Sequence, residues 1–274
     1  MRLKSNDQVL AQIARQLRLD VIESLHCAGS GHPGGSLSAA EIMSTLYFYE
    51  MDVEPENPDW EERDRFVLSK GHAAPVYYAA LAERGYFPKE ELKTLRKLKS
   101  RLQGHPDRKK LPGIDMSTGS LGQGISAAAG MACYAKKKGK TFRVYCVIGD
   151  GEMQEGQLWE ALMASAHYQL DNFTVLLDNN NLQIDGPVDE VMSIYPVREK
   201  VEAFGWNVLE ADGHDPASIR AALDEARKGE EKPTFIICKT VKGKGISFME
   251  NQVSWHGASV SDEQYEAAVS ELKE

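Results

Sequence analysis

The chain has 274 residues, 42% hydrophobic and 27% charged, with a formal net charge of −9. That is globular composition, at a length that holds one large α/β domain or two small ones. The acidic balance opposes nucleic-acid binding as a main activity, and no apolar run approaches the roughly 18–20 residues that span a bilayer.

Taken in order, residues 7–27 predict a helix with Val9, Ile13, Leu17 and Val21 on one stripe. It carries no signal-peptide core. The segment AGSGHPGGSLS follows, whose Gly and Pro residues from Gly29 to Gly35 predict a break; Ser36 or Ser38 then caps a helix over Ala39–Tyr49. His32 is thus expected in a Gly/Pro loop. After a polar loop at 52–62, Arg65–Ser69 reads as a strand and Ala73–Arg84 as a helix, which puts His72 at a strand-to-helix junction. Residues 88–103 read as a basic helix, followed by a second Gly-His-Pro around His105. TGSLGQG, with Gly119, Gly122 and Gly124, precedes a small-residue helix over Ile125–Lys137.

Arg143–Ile148 and Phe173–Leu177 are apolar strand runs. Between them Glu155–Gln169 carries Leu158, Trp159, Leu162, Met163 and Ala166 at helical spacing. Such a strand–helix–strand unit forces parallel strands. Gly149-Asp150-Gly151 and Asp178-Asn179-Asn180-Asn181 then leave from one sheet edge, where open α/β sheets bind ligands. A carboxylate from Asp150, an amide oxygen from Asn180 and a nearby carbonyl are hard oxygen ligands for Mg²⁺ or Ca²⁺. The following helix aims its N-terminus at an anion there, and Gly151 permits close backbone approach. The chain closes with a helix over Val197–Phe204, a strand over Trp206–Ala211, a turn in which His214 is read as structural, and a helix over Ala217–Lys228. A third parallel-type strand over Thr234–Thr240 leads to a long loop holding Lys244 and His256, and 261–273 form a polar helix. With no repeat and no linker, the expectation is a single α/β domain over 1–274: an open, mostly parallel sheet with helices on both faces, and a C-terminal loop and helix from about 241. Cys27, Cys133, Cys146 and Cys238 form no CxxC pair and read as reduced, buried thiols of a cytoplasmic protein, with neither a disulfide nor a zinc site indicated.

GDG, a helix and an Asn run at this distance resemble the thiamine-diphosphate-binding signature. With SGHPGG, DRFVLSKGHA, QGHPD, STGSLGQG, GDGEMQEG, DNNNLQIDG and the late WHG, the chain resembles the amino-terminal half of transketolase from about residue 10 to 270. Ser120 departs from the pattern, standing where many members have proline. The resemblance implies thiamine diphosphate and a divalent cation (Mg²⁺, or Ca²⁺ or Mn²⁺) as cofactors. It implies Asp150, Asn180 and the carbonyl of Leu182 as metal ligands. Gly151, Glu152, His72 and His256 are implied as cofactor contacts, with Gly119, Leu121 and Gly122 against the cofactor ring. His32, His72, His105 and His256 are implied to bind donor hydroxyls and shuttle protons. Glu155 matches an acidic residue that faces the partner half.

The implied activity is transfer of a two-carbon ketol unit from a ketose phosphate to an aldose phosphate. The resemblance places the pyrimidine-activating glutamate in a second domain that these residues do not match. The expectation is therefore a split enzyme, active with a C-terminal transketolase subunit in an α₂β₂ assembly, with no nucleic acid and no membrane involved. Other readings are a related enzyme acting on a modified or sulfo sugar, a fragment of a deoxyxylulose-phosphate synthase, and a non-catalytic cofactor-binding subunit.

Overall fold

The structure, a computed structural model, describes residues 2–229 and 231–274. Among these residues the strands form one five-stranded parallel sheet: β1 (Arg65–Leu68), β2 (Val144–Gly149), β3 (Phe173–Asn179), β4 (Asn207–Asp212) and β5 (Thr234–Lys239), in the spatial order β1-β2-β3-β5-β4. Parallel strands need crossovers, and the helices that supply them cover both faces.

The side-chain alternation of β2 shows the layering. Tyr145 and Val147 join the buried cluster on one face, with α1 (Asp7–Ala28), α4 (Ala74–Arg84), α9 (Pro216–Ala226) and α10 (Asp262–Lys273). Val144, Cys146 and Ile148 join the other, with α5 (Gln123–Lys137), α6 (Gly156–His167) and α8 (Val197–Ala203). In register, Gly149 pairs with Asp178, Asp178 with Cys238, and Asp212 with Lys239, so four strands end at one edge.

Four expectations need correction. GHPGG is not a loop: Pro33–Ser38 is helix α2, with His32 as its N-cap and Pro33 in the first turn, where its missing N–H costs nothing. The helix expected over Ala39–Tyr49 is α3 (Ala40–Thr45) running into a π turn, Leu46–Glu50. Residues 88–103 give only a 3₁₀ segment, Lys89–Thr94, then turns with Arg96 and Lys99 at φ 60° and 70°; Leu92, Leu95 and Leu102 are buried although no continuous helix carries them. Val9 and Met163, expected on inner stripes, are exposed, with Leu10, Ala14, Leu158 and Leu162 taking the core positions. Of the thiols, Cys146 and Cys238 are buried, whereas Cys27 and Cys133 are only half-buried; all are free. No helix among the described residues is long and apolar enough to cross a membrane.

Candidate functional site

The carboxyl ends of β1, β2, β3 and β5 surround a cavity of about 240 Å³. Leu121, Asp150, Gly151, Glu152, Glu155, Asn180, Leu182, His72 and His256 line it, joined by Lys70 and Lys242. Of the residues expected at a site, His32, His105, Gly119 and Gly122 lie outside this lining. His32 is still close, its ring centroid 5.2 Å from His72 and 5.7 Å from His256. His105 is exposed and packs beside Gly119, where a Cβ would come within 3.2 Å of its ring.

Asp150 and the Asn run do meet. The Asp150 carboxylate accepts from the N–H of Gly151 at 2.8 Å and from the N–H of Asn181. Asn180 Oδ1 accepts from the Leu182 N–H at 3.1 Å, and the Leu182 carbonyl accepts from Lys242 Nζ at 2.8 Å. Burial pushes the Asp150 carboxyl up to about 6, with the Asp178 carboxylate adding to the effect. One carboxylate, one amide oxygen and one carbonyl are the hard donors that suit Mg²⁺ or Ca²⁺. The donor set therefore fits the divalent cation that the resemblance implies. Among the described residues no group of three or more His, Cys, Asp or Glu side chains is placed to hold a metal ion.

The cationic side of the cavity is built from residues that pattern reading passed over. Lys242 is 2% exposed and bridges the Leu182 carbonyl to His256 Nδ1, 3.0 Å away. Burial lowers its pKa to about 8 against the pull of Asp150. Lys244, the lysine singled out in the loop, pairs instead with Glu250 at 3.4 Å. Lys70 lies beneath, ion-paired to the fully buried Asp178, which also accepts from Ser38 Oγ at 2.6 Å and from Thr240 Oγ1. This pair fastens α2 to the ends of β1, β3 and β5. Asp178 belongs to β3, not to the loop expected there, so its chemistry was hidden inside an apolar strand.

Three imidazoles share that wall. Desolvation first, then the nearby Lys70 and Lys242 charges, holds His72 well below the ordinary histidine range. Desolvation and Lys242 hold His256 at about 3. Desolvation, followed by Arg96, lowers His32. All three are neutral near pH 7. The Nδ1 of His32 is buried without a hydrogen-bond partner among the described residues. Because Lys242 donates to His256 Nδ1, the His256 proton is assigned to Nε2.

Two acidic residues take different positions. Glu152 is buried and fully engaged: Oε1 accepts from Ser69 Oγ and from the Gly122 N–H at 2.9 Å, Oε2 from the Gly149 N–H at 3.2 Å. It ties the TGSLGQG loop to two strand ends. Glu155 caps α6 without a side-chain cap bond and stays exposed at the cavity rim. Its backbone position depends on Gly122, which has φ 78° and where a Cβ would meet Glu155 Cβ at 2.7 Å. The missing Cβ of Gly151 faces Gln183, 3.0 Å off, so that glycine admits the 183 loop. A 3₁₀ turn, Gly151–Gln154, separates Asp150 from α6, so the helix does not begin directly after the carboxylate.

Comparison with known proteins agrees with this architecture. The family model described as transketolase, thiamine diphosphate binding domain, matches residues 6–273. This chain belongs to the transketolase thiamine-diphosphate-binding family. It is 46% identical over 263 residues to the 6-deoxy-6-sulfo-D-fructose transketolase subunit SqwG of Clostridium sp. (strain MSTE9), covering 96% of this chain and 94% of that protein. It is 41% identical to one of the subunits of the apulose-4-phosphate transketolase of Phocaeicola vulgatus, covering 94% and 91%. The solved transketolase of Campylobacter jejuni superposes with a TM-score of 0.92 at 37% identity, covering 98% of this chain but 43% of that one. The chain thus spans less than half of a whole-length transketolase and nearly all of two transketolase subunits.

Proposed function

We propose that this chain is the diphosphate-binding subunit of a two-chain transketolase. It moves a two-carbon ketol unit from a ketose phosphate to an aldose phosphate, and a second chain supplies the pyrimidine-binding half. The observation that carries the reading is the convergence of Asp150, Asn180, the Leu182 carbonyl, Lys242 and two neutral histidines, with His32 beside them, on one cavity at the sheet's carboxyl edge.

Thiamine diphosphate, when bound, supplies the chemistry that takes up and releases the two-carbon unit. Asp150, Asn180 and the Leu182 carbonyl would hold Mg²⁺, an ion that takes oxygen ligands and would supply positive charge beside the diphosphate. Lys242 contributes a cation on the same wall. His256 presents an Nε2 proton to an oxygen of the sugar or the diphosphate, while neutral His32 and His72 offer nitrogens that accept a hydroxyl proton. Glu155, exposed at the rim, faces the partner chain. The working assembly is α₂β₂ and cytoplasmic, in keeping with the four free thiols, and residues 1–274 act as one domain built on a single sheet.

The test is an assay of two-carbon transfer by the pure chain, then by the chain with its partner. Activity only in the mixture supports the division of labour; substantial turnover by the pure chain overturns it. A second reading, a donor or acceptor that is a modified or sulfo sugar, is favoured by the 46% identity to a subunit named for such a sugar. A panel of sulfo, apulose-type and ordinary sugar phosphates separates the two.

A further inference from the structure

His214, in the turn after β4, carries more than a turn requires. Its Nε2 accepts from the Val241 N–H at 2.8 Å, and its Nδ1 lies 3.0 Å from Glu41 Oε2. Because Nε2 accepts, the proton is assigned to Nδ1, which donates to Glu41. Glu41 on α3 is buried and held in turn by both terminal nitrogens of Arg18 on α1, each at 2.6 Å. Gly213 allows this approach, since a Cβ there would come within 2.4 Å of Thr240 Cγ2 and 2.8 Å of the Lys239 carbonyl.

Val241 immediately precedes Lys242. The strap around it is held at three backbone N–H groups: Thr240 donates to the Asn179 carbonyl at 3.1 Å, Gly243 to the Gly34 carbonyl at 3.1 Å, and Val241 to His214. Among these three acceptors, only His214 is a side chain, and it alone is oriented by a buried ion pair. Lys242 then packs on Gly34, where a Cβ would lie 2.9 Å from its Cγ, and reaches Leu182 and His256.

We propose that His214 is a positioning residue: through the Val241 N–H, and with its own proton fixed by Glu41 and Arg18, it sets the strap that holds Lys242 in the cavity. The inference rests on reading that cavity as the diphosphate site. It predicts that His214 acts on cofactor binding only through Lys242.

The test compares His214→Phe, Lys242→Met and the double variant in the full chain. Two readouts apply: amide exchange at residues 240–243 without ligand, and titration with thiamine diphosphate and Mg²⁺ followed calorimetrically. Loss of one buried hydrogen bond predicts faster exchange at Val241 and about ten-fold weaker binding for His214→Phe. The double variant is expected to bind no more weakly than Lys242→Met alone, because both changes remove one arrangement. Unchanged exchange at 240–243, or binding losses that multiply, overturns the role. Should the phenylalanine variant not fold, His214→Gln and His214→Ala decide. The glutamine amide can accept from Val241 and donate to Glu41, so exchange at Val241 and binding within about three-fold of wild type in His214→Gln, with both impaired in His214→Ala, support the role, and unchanged exchange and binding in the alanine variant overturn it. Failure of the wild-type chain to bind cofactor, alone and with its partner, tells against the proposed function, and the exchange readout still judges the strap.

Discussion

The two edges of the sheet use the same kinds of residue to opposite ends. At the amino edge, Arg63 is bidentate to Asp115, at 2.7 and 3.1 Å, and Asp115 also accepts from the Phe66 N–H. Asp64 beside it accepts from the N–H groups of Asp52 and Arg143, both at 2.8 Å. Those charges lock β1 and β2 to the chain around them. At the carboxyl edge the Asp150 carboxyl sits high, Lys242 sits low, three imidazoles are held neutral and one ring nitrogen has no partner among the described residues. At one edge the Asp115 carboxylate is closed off by Arg63 and the Phe66 N–H. At the other, Asp150, Lys242, His72 and His256 line a cavity, which the proposed diphosphate and cation would fill.

Substitutions can break this contrast. Asp150→Ala has the largest expected effect: two-carbon transfer by the reconstituted complex falls to background, and calorimetry finds no Mg²⁺-dependent cofactor binding. Because burial disfavours the Asp150 charge, the empty chain is expected to unfold at the same urea concentration as wild type or a slightly higher one. Retained metal-dependent activity counts against the site. Asp115→Ala is expected to do the reverse. Removing one partner of a buried pair costs about 3–5 kcal/mol of folding stability, read by urea titration, while the surviving folded fraction binds cofactor normally.

Gly34→Ala sharpens the comparison at the carboxyl edge alone. A methyl there would meet Lys242 Cγ at 2.9 Å and the Trp255 carbonyl at 2.8 Å. Displacing Lys242 is expected to weaken cofactor binding about ten-fold, and shifting the Trp255 carbonyl to cost about 1–3 kcal/mol of folding stability, read by urea titration. Equal binding by the alanine variant indicates that the strap yields without cost. At neutral pH the last effect is silent, and it appears only on acidification. Unfolded, His256 takes up a proton near 6.5; folded, it stays neutral to about 3. Acid therefore favours the unfolded chain: stability is full above about pH 6.5 and falls as pH drops towards 3. His256→Gln should flatten that slope, and identical acid profiles for the two chains contradict the assignment.

The parallel unit, its ends and the meeting of Asp150 with the Asn run were legible because apolar strand runs and a helical stripe fix where backbone must leave the sheet. Less legible was anything that depended on close packing. Gly34 and Gly35 look like helix breakers, yet both sit in α2, and at Gly34 the Lys242 stem and the Trp255 carbonyl occupy the space a side chain would take. Leu92, Leu95 and Leu102 keep a helical spacing, so nothing in the pattern marks the breaks at Arg96 and Lys99, whose φ of 60° and 70° turn the segment. Lys242 and Lys244 are indistinguishable in a Gly-Lys-rich loop until the strap fixes which one turns inward. His214 looked like turn chemistry because its partners, Glu41 and Val241, lie far away in sequence.

The strand order carries a consequence for synthesis. β4 pairs only with β5 among the described residues, and β5 sits between β3 and β4. A growing polypeptide therefore has no sheet neighbour for β4 until β5 emerges from the ribosome. The residues that follow directly are the strap with Lys242, and then His256. The pocket is thus among the last parts of this fold to be completed: a nascent chain that has reached only α9 already carries Lys70, His72, Asp150, Asn180 and Leu182, but the wall formed by Lys242 and His256 is still missing.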